Sequence, residues 1–93
     1  ALEEPVGPAL EVDVTPSLIA VDGARAADTG YYADHGDELV EELYVRVQAG
    51  GAGAVNVRVD GDVPYRVTRK VLFTCQQAGA ERLTLVTRSR AGL

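Results

Sequence analysis

The run from Ala54 to Arg88 constrains the fold most. Val55, Val57 and Val59 alternate with Asn56, Arg58 and Asp60, and Asp60-Gly61-Asp62 then turns the chain. Such alternation puts successive side chains on opposite faces of a strand, one face buried and one wet. Val63-Pro64-Tyr65 opens a segment of period 3.6, in which Val67, Val71, Leu72, Cys75 and Ala78 make a buried stripe. Arg66, Arg69, Lys70, Gln76 and Gln77 face water, and Phe73, the only Phe, falls off the stripe by helical geometry. Proline suits the first helical turn, where its missing amide is no loss. Ala78-Gly79 stops the helix, and Leu83, Leu85 and Thr87 resume the alternation in a closing strand. A period that changes from 2 to 3.6 and back to 2 is a β-α-β unit.

The chain upstream supplies the rest of the fold. Leu10, Val12 and Val14 alternate with Glu11, Asp13 and Thr15 as a half-buried strand. Thr15-Pro16-Ser17 breaks it, because Pro16 has no amide to give to a ladder. Ile19 and Val21 form a second strand, ended by Asp22-Gly23, and the two strands are expected to pair as a hairpin. Residues 24–36, with Tyr31 and Tyr32, read as a loop with a short turn. A helix is expected over Asp37–Val47, with Leu39, Val40, Leu43 and Val47 inward and Glu38, Glu41, Glu42 and Arg46 outward. Asp34 or Asp37 would cap it, and Gly50-Gly51-Ala52-Gly53 would end it. The fold class is therefore α+β: a small two-layer β-β-α-β-α-β sandwich with two helices packed on one face of a mixed sheet. The domain is expected to cover residues 10–88. Residues 1–9, with Pro5, Gly7 and Pro8, read as a linker, and residues 89–93 as a polar tail.

Charge and chemistry narrow the function. Ninety-three residues with a net charge of −5 make one domain and argue against binding nucleic acid or anionic lipid. One cysteine, Cys75, excludes an intramolecular disulfide and sits on the buried stripe as a small core side chain. No apolar run reaches the length of a membrane span. The only histidine, His35, lies in Asp34-His35-Gly36-Asp37, where helix capping accounts for both aspartates without a metal. Gly50–Gly53 leaves a helix and enters a strand, which is the wrong context for a phosphate loop. No nucleophile–base pair assembles, and no cofactor fingerprint is present, so an enzyme is not expected.

Val55-Asn56-Val57-Arg58-Val59-Asp60, Val63-Pro64-Tyr65, Val71-Leu72, Ala78-Gly79 and Leu83 to Thr87 together resemble one family. It is the periplasmic domain of ExbD and TolR, the smaller stator subunits of proton-driven inner-membrane motors. Leu10 to Val14, Ile19 to Gly23, Asp37-Glu38-Leu39 and Leu43 resemble its opening hairpin and first helix, so the resemblance covers residues 10 to 88. Asp60, Val63, Pro64, Tyr65, Ala78 and Gly79 carry the family motif. Two features depart from it: residues 24–36 are longer than the usual link, and Phe73 stands where a polar residue is usual.

The resemblance implies a domain without cofactor or catalysis, tethered by an anchor before Ala1 that carries the proton-bearing aspartate. It implies a homodimer, an ExbB/TolQ-like channel subunit as membrane partner, and a TonB/TolA-like transducer or peptidoglycan as periplasmic partner. The service would be nutrient uptake, envelope integrity or motility. Candidate interface residues are Leu83, Leu85 and Thr87 on one edge strand, Leu10, Val12 and Val14 on another, and exposed Phe73. The alternative is a ferredoxin-like regulatory module that senses a small molecule near Gly50–Gly53 or Asp60–Asp62.

Overall fold

The computed structural model describes residues 9–34, 38–50 and 53–88. In chain order the elements are β1 (Leu10–Val14), β2 (Leu18–Val21), β3 (Ala24–Asp28), α1 (Thr29–Asp34), α2 (Glu41–Gly50), β4 (Ala54–Asp60), α3 (Tyr65–Gln77) and β5 (Arg82–Arg88). The five strands form one sheet in the order β3-β2-β1-β4-β5. β1–β2 and β2–β3 are antiparallel, while β1–β4 and β4–β5 are parallel, so the sheet is mixed. Residues 1–8 of the expected linker (1–9), the expected tail at 89–93, and the sequence His35-Gly36-Asp37 lie outside the described residues.

Register follows from the apolar alternation. Val12 sits beside Val21 and Val57, Val14 beside Ile19 and Val59, and Leu10 beside Val55. A slip of one residue would turn every one of these to the opposite face. They meet Val40, Leu43, Val47, Val67, Val71 and Cys75 from the helices in a single core, built mostly of valine. The opposite face of the sheet is polar and cross-linked. Asn56 donates to Glu11 at 3.0 Å, and Arg88 pairs with Asp60 at 3.1 Å and with Asp13 at 3.8 Å.

α3 and its two ends form as the sequence implies. Pro64 sits one position earlier than the first helical residue, as the N-cap, and its carbonyl accepts the amides of Val67 and Thr68 at 2.9 and 3.3 Å. At the far end the Ala80 amide reaches the Cys75 carbonyl at 3.1 Å and the Gly79 amide reaches Gln76 at 3.1 Å. This double bond pattern is a Schellman cap, which needs a left-handed residue, and Gly79 has φ +106°.

Four expectations are corrected. The described part of the expected loop, residues 24–34, is not a loop: it consists of β3 and the six-residue α1. Asp22 and Gly23, with φ of +51° and +85°, make the two-residue turn that returns the chain along β2. α2 starts at Glu41 rather than at residue 37, and the Tyr44 amide bonds to the Val40 carbonyl, so Val40 and not an aspartate stands at the cap position. Asp34 is the last residue of α1, and Asp37 is not described. Lys70 does not face water. It is buried, and its Nζ donates to the Glu38 carbonyl at 2.7 Å, because the segment entering α2 crosses over it. Finally, Leu10, Val12 and Val14 do not lie on an edge, since β1 is the middle strand and is paired on both sides.

Candidate functional site

β5 is the strand on which the candidate residues converge. Arg-Leu-Thr-Leu-Val-Thr-Arg combines β-branched and leucine side chains with no proline or glycine, a strand-forming composition. The Gly53 carbonyl receives the Glu81 and Arg82 amides at 3.0 and 2.6 Å and starts the ladder. Pairing with β4 then runs in unbroken register from Ala54↔Arg82 to Asp60↔Arg88, and the Gly61 amide adds a bond to the Arg88 carbonyl at 2.7 Å.

Leu83, Leu85 and Thr87 therefore stand beside Val55, Val57 and Val59 on the helix side of the sheet. The neighbours are buried, but Leu85 is 42% exposed. Val86, on the opposite face of the same strand, is 45% exposed. β5 thus presents apolar side chains on both faces and one row of backbone groups that, among the described residues, no other strand meets. An edge that is long, regular and apolar is a template for pairing with another strand.

The other edge is built differently. β3 pairs with β2 through an irregular register between Ile19 and Ala20. Arg46 reaches over from α2, and its guanidinium donates to the carbonyls of Ala24 and Arg25 at 3.5 and 3.3 Å. A bulge and a covering arginine are both devices that protect an edge from pairing. Arg46 is itself held by Glu42 at 3.0 Å. Sequence reasoning placed Arg46 on the outer face of its helix and missed this role, which depends on a strand it had not found.

The remaining candidates do not join β5. Phe73 is half exposed on α3 and lines a groove with Leu39 and Leu72 that no β5 residue enters. In the family motif Val63 is buried as an anchor under the helix entry, whereas Tyr65 is 72% exposed. Asp60 pairs with Arg88, and Ala78 and Gly79 form the helix cap.

Among the described residues nothing resembles a reaction centre. The Cys75 thiol is buried, and desolvation pushes its pKa up from 9.0 to about 11, the opposite of an activated nucleophile. The Tyr31 hydroxyl donates to Glu38 at 3.0 Å, and this bond holds its pKa above the usual phenol range. Among the described residues no three histidine, cysteine or acidic side chains gather as metal ligands. No helix among them is long and apolar enough to cross a membrane.

No curated protein and no solved structure matches this chain. A family model does: biopolymer transport protein ExbD/TolR, over residues 7–90. That span includes the whole sheet, both long helices and the Val63-Pro64-Tyr65 entry. The chain therefore belongs to the ExbD/TolR family of biopolymer transport proteins, which are not enzymes.

Proposed function

We propose that this chain is the periplasmic domain of a stator subunit in a proton-driven inner-membrane motor, and that two copies meet through β5. Family membership supports the stator role. The single observation that carries the pairing is the contrast between the two sheet edges, one covered by Arg46 and one left open with Leu85 and Val86 exposed. In this reading a membrane anchor ties the domain to an ExbB/TolQ-like channel subunit. The domain passes motion to a TonB/TolA-like transducer or to the cell wall. β5 works by strand addition, in which backbone hydrogen bonds supply affinity and alternate side chains supply specificity. The ferredoxin-like alternative gains no support from an element order of β-β-β-α-α-β-α-β.

Two experiments test this reading. Sedimentation velocity over a concentration series should show a monomer–dimer equilibrium that Leu85→Arg abolishes; a strict monomer at high concentration removes the pairing claim. In the cells that make the protein, Val86→Cys should give a disulfide-linked dimer, with buried Cys75 kept out of the reaction. The yield of that dimer should change when the proton gradient is collapsed. A yield indifferent to the gradient would count against energy coupling.

A further inference from the structure

α3 combines basic and exposed aromatic side chains on one surface. The chain has 14 acidic and 9 basic residues, yet α3 holds Arg66, Arg69 and Lys70 and no acid. Tyr65, Arg69 and Phe73 follow at intervals of four, which aligns them along one side of the helix. Tyr65 is 72% and Phe73 51% exposed. Beside this row lies a groove of about 610 Å³, with Leu39, Leu72 and Phe73 among its lining and Arg66, Arg69 and Gln76 along α3.

The cations of the groove are not equivalent. Lys70 turns inward to the Glu38 carbonyl. Arg66 is fixed from one side, its Nε donating to the Ala33 carbonyl at 2.7 Å, which anchors the guanidinium at the C-terminal end of α1. Arg69 is exposed and makes no hydrogen bond or ion pair among the described residues. Glu38 is the one acid among the described residues lining the groove, and its carboxylate accepts the Tyr31 hydroxyl at 3.0 Å. Two arginines three residues apart on a helix are neighbours, and each can hold a carboxylate in a two-pronged geometry that lysine cannot offer. An exposed phenylalanine next to such a pair is the kind of side chain that anchors an interface.

We propose that this groove docks an acidic polypeptide segment of a partner protein, with carboxylates on Arg66 and Arg69 and an apolar side chain against Leu72 and Phe73. Charge complementarity selects the occupant: on a chain of net charge −5, the described lining of the groove sets Arg66, Arg69 and Lys70 against the single acid Glu38. A peptide fits better than a lipid surface. The overall negative charge opposes approach to an anionic membrane, and the apolar contacts lie in a concave groove rather than on a flat face. The site goes beyond the stator reading and is separate from β5, so either can fail without the other.

The test uses the whole chain and a short fluorescein-labelled peptide of glutamates interrupted by leucines. Its counterparts carry glutamine or lysine in place of glutamate. Fluorescence anisotropy should show saturable binding of the glutamate peptide, and backbone amide shifts in NMR should cluster on α3 and on residues 38–40. Arg69→Glu should weaken that binding by at least about tenfold and raise affinity for the lysine peptide, a charge reversal that a merely damaged fold would not give. Phe73→Ser should weaken the glutamate and lysine peptides alike on their respective hosts. No saturable binding, equal binding of the glutamine peptide, or amide shifts on β5 in place of α3 would each overturn the proposal. So would shifts on α3 produced by phosphatidylglycerol vesicles and not by the peptide.

Discussion

The Thr74 hydroxyl joins α3 to the entrance of α2 by accepting the Val40 amide at 3.1 Å. The same oxygen donates to the Lys70 carbonyl one turn back at 2.8 Å, and both Thr74 and Val40 are fully buried. The first amides of a helix lack intrahelical partners, and here a side chain from another helix supplies one at the cap position. Thr74→Val keeps the shape and removes the acceptor, leaving a buried N–H unsatisfied. The expected cost is about 1–3 kcal/mol. Thr74→Ser keeps the hydroxyl and should lose only about 1 kcal/mol for the missing methyl. Urea unfolding of the two variants side by side distinguishes the bond from the packing, and equal losses would mean that the bond contributes nothing.

Two glycines near helix ends should respond with opposite signs. A Cβ on Gly79 would meet no atom within 4 Å, so space is not the obstacle. Its φ of +106° is, and Gly79→Ala should destabilise by about 1–2 kcal/mol from backbone strain alone. Gly50 closes α2, is likewise open to a Cβ, and does not have positive φ. Gly50→Ala should stabilise by about 0.5–1 kcal/mol through helix propensity. Thermal melts that moved in the same direction would contradict the conformational account.

What could be read from the sequence and what could not divide along a physical line. β4, α3 and β5 were legible because their periodicity is local: each apolar position needs only its own neighbours to declare its face. The exposure of Phe73 followed from the same geometry. β3 was not legible, because Ala24-Arg25-Ala26-Ala27-Asp28 contains no β-branched or aromatic residue. The signal that does announce it is Asp22-Gly23, a two-residue hairpin turn rather than only a strand end. Lys70 and Thr74 are polar letters at the border of the buried stripe. They are buried because the segment before α2 crosses α3 there and offers the Glu38 carbonyl and the Val40 amide. Arg46 shields an edge that periodicity had not located. Each of these depends on a contact between distant parts of the chain, which no local pattern carries.

Leu85 and Val57 are register partners with opposite exposure, and this makes Leu85→Arg a clean probe. Leu85 is 42% exposed, so an arginine there can extend into water, and stability should stay within about 0.5 kcal/mol. Val57 is fully buried, and Val57→Ala should cost about 2 kcal/mol through lost contacts and a cavity. Chemical denaturation at a concentration where the chain is monomeric checks both. A large loss for Leu85→Arg would show that this side chain supports the fold, and its effect on association could then no longer be read as an edge effect.

Cys75 should report the integrity of the core through its thiol. It is buried on α3 against valines of the sheet, and burial raises its pKa from 9.0 to about 11. The folded state therefore holds the proton more tightly than the unfolded one. That contribution to stability is fully present below pH 9 and is lost as pH rises through about 11. At pH 8 the native chain should not react with Ellman's reagent, since the thiolate is the reacting form and no solvent reaches it. Reaction should appear in urea along the unfolding transition. Raising the pH from 9 towards 11 should lower the urea midpoint, over and above the shift seen in Cys75→Ala, which lacks the titrating group. Prompt reaction in native buffer at pH 8 would mean that α3 opens locally while the rest of the sheet stays folded.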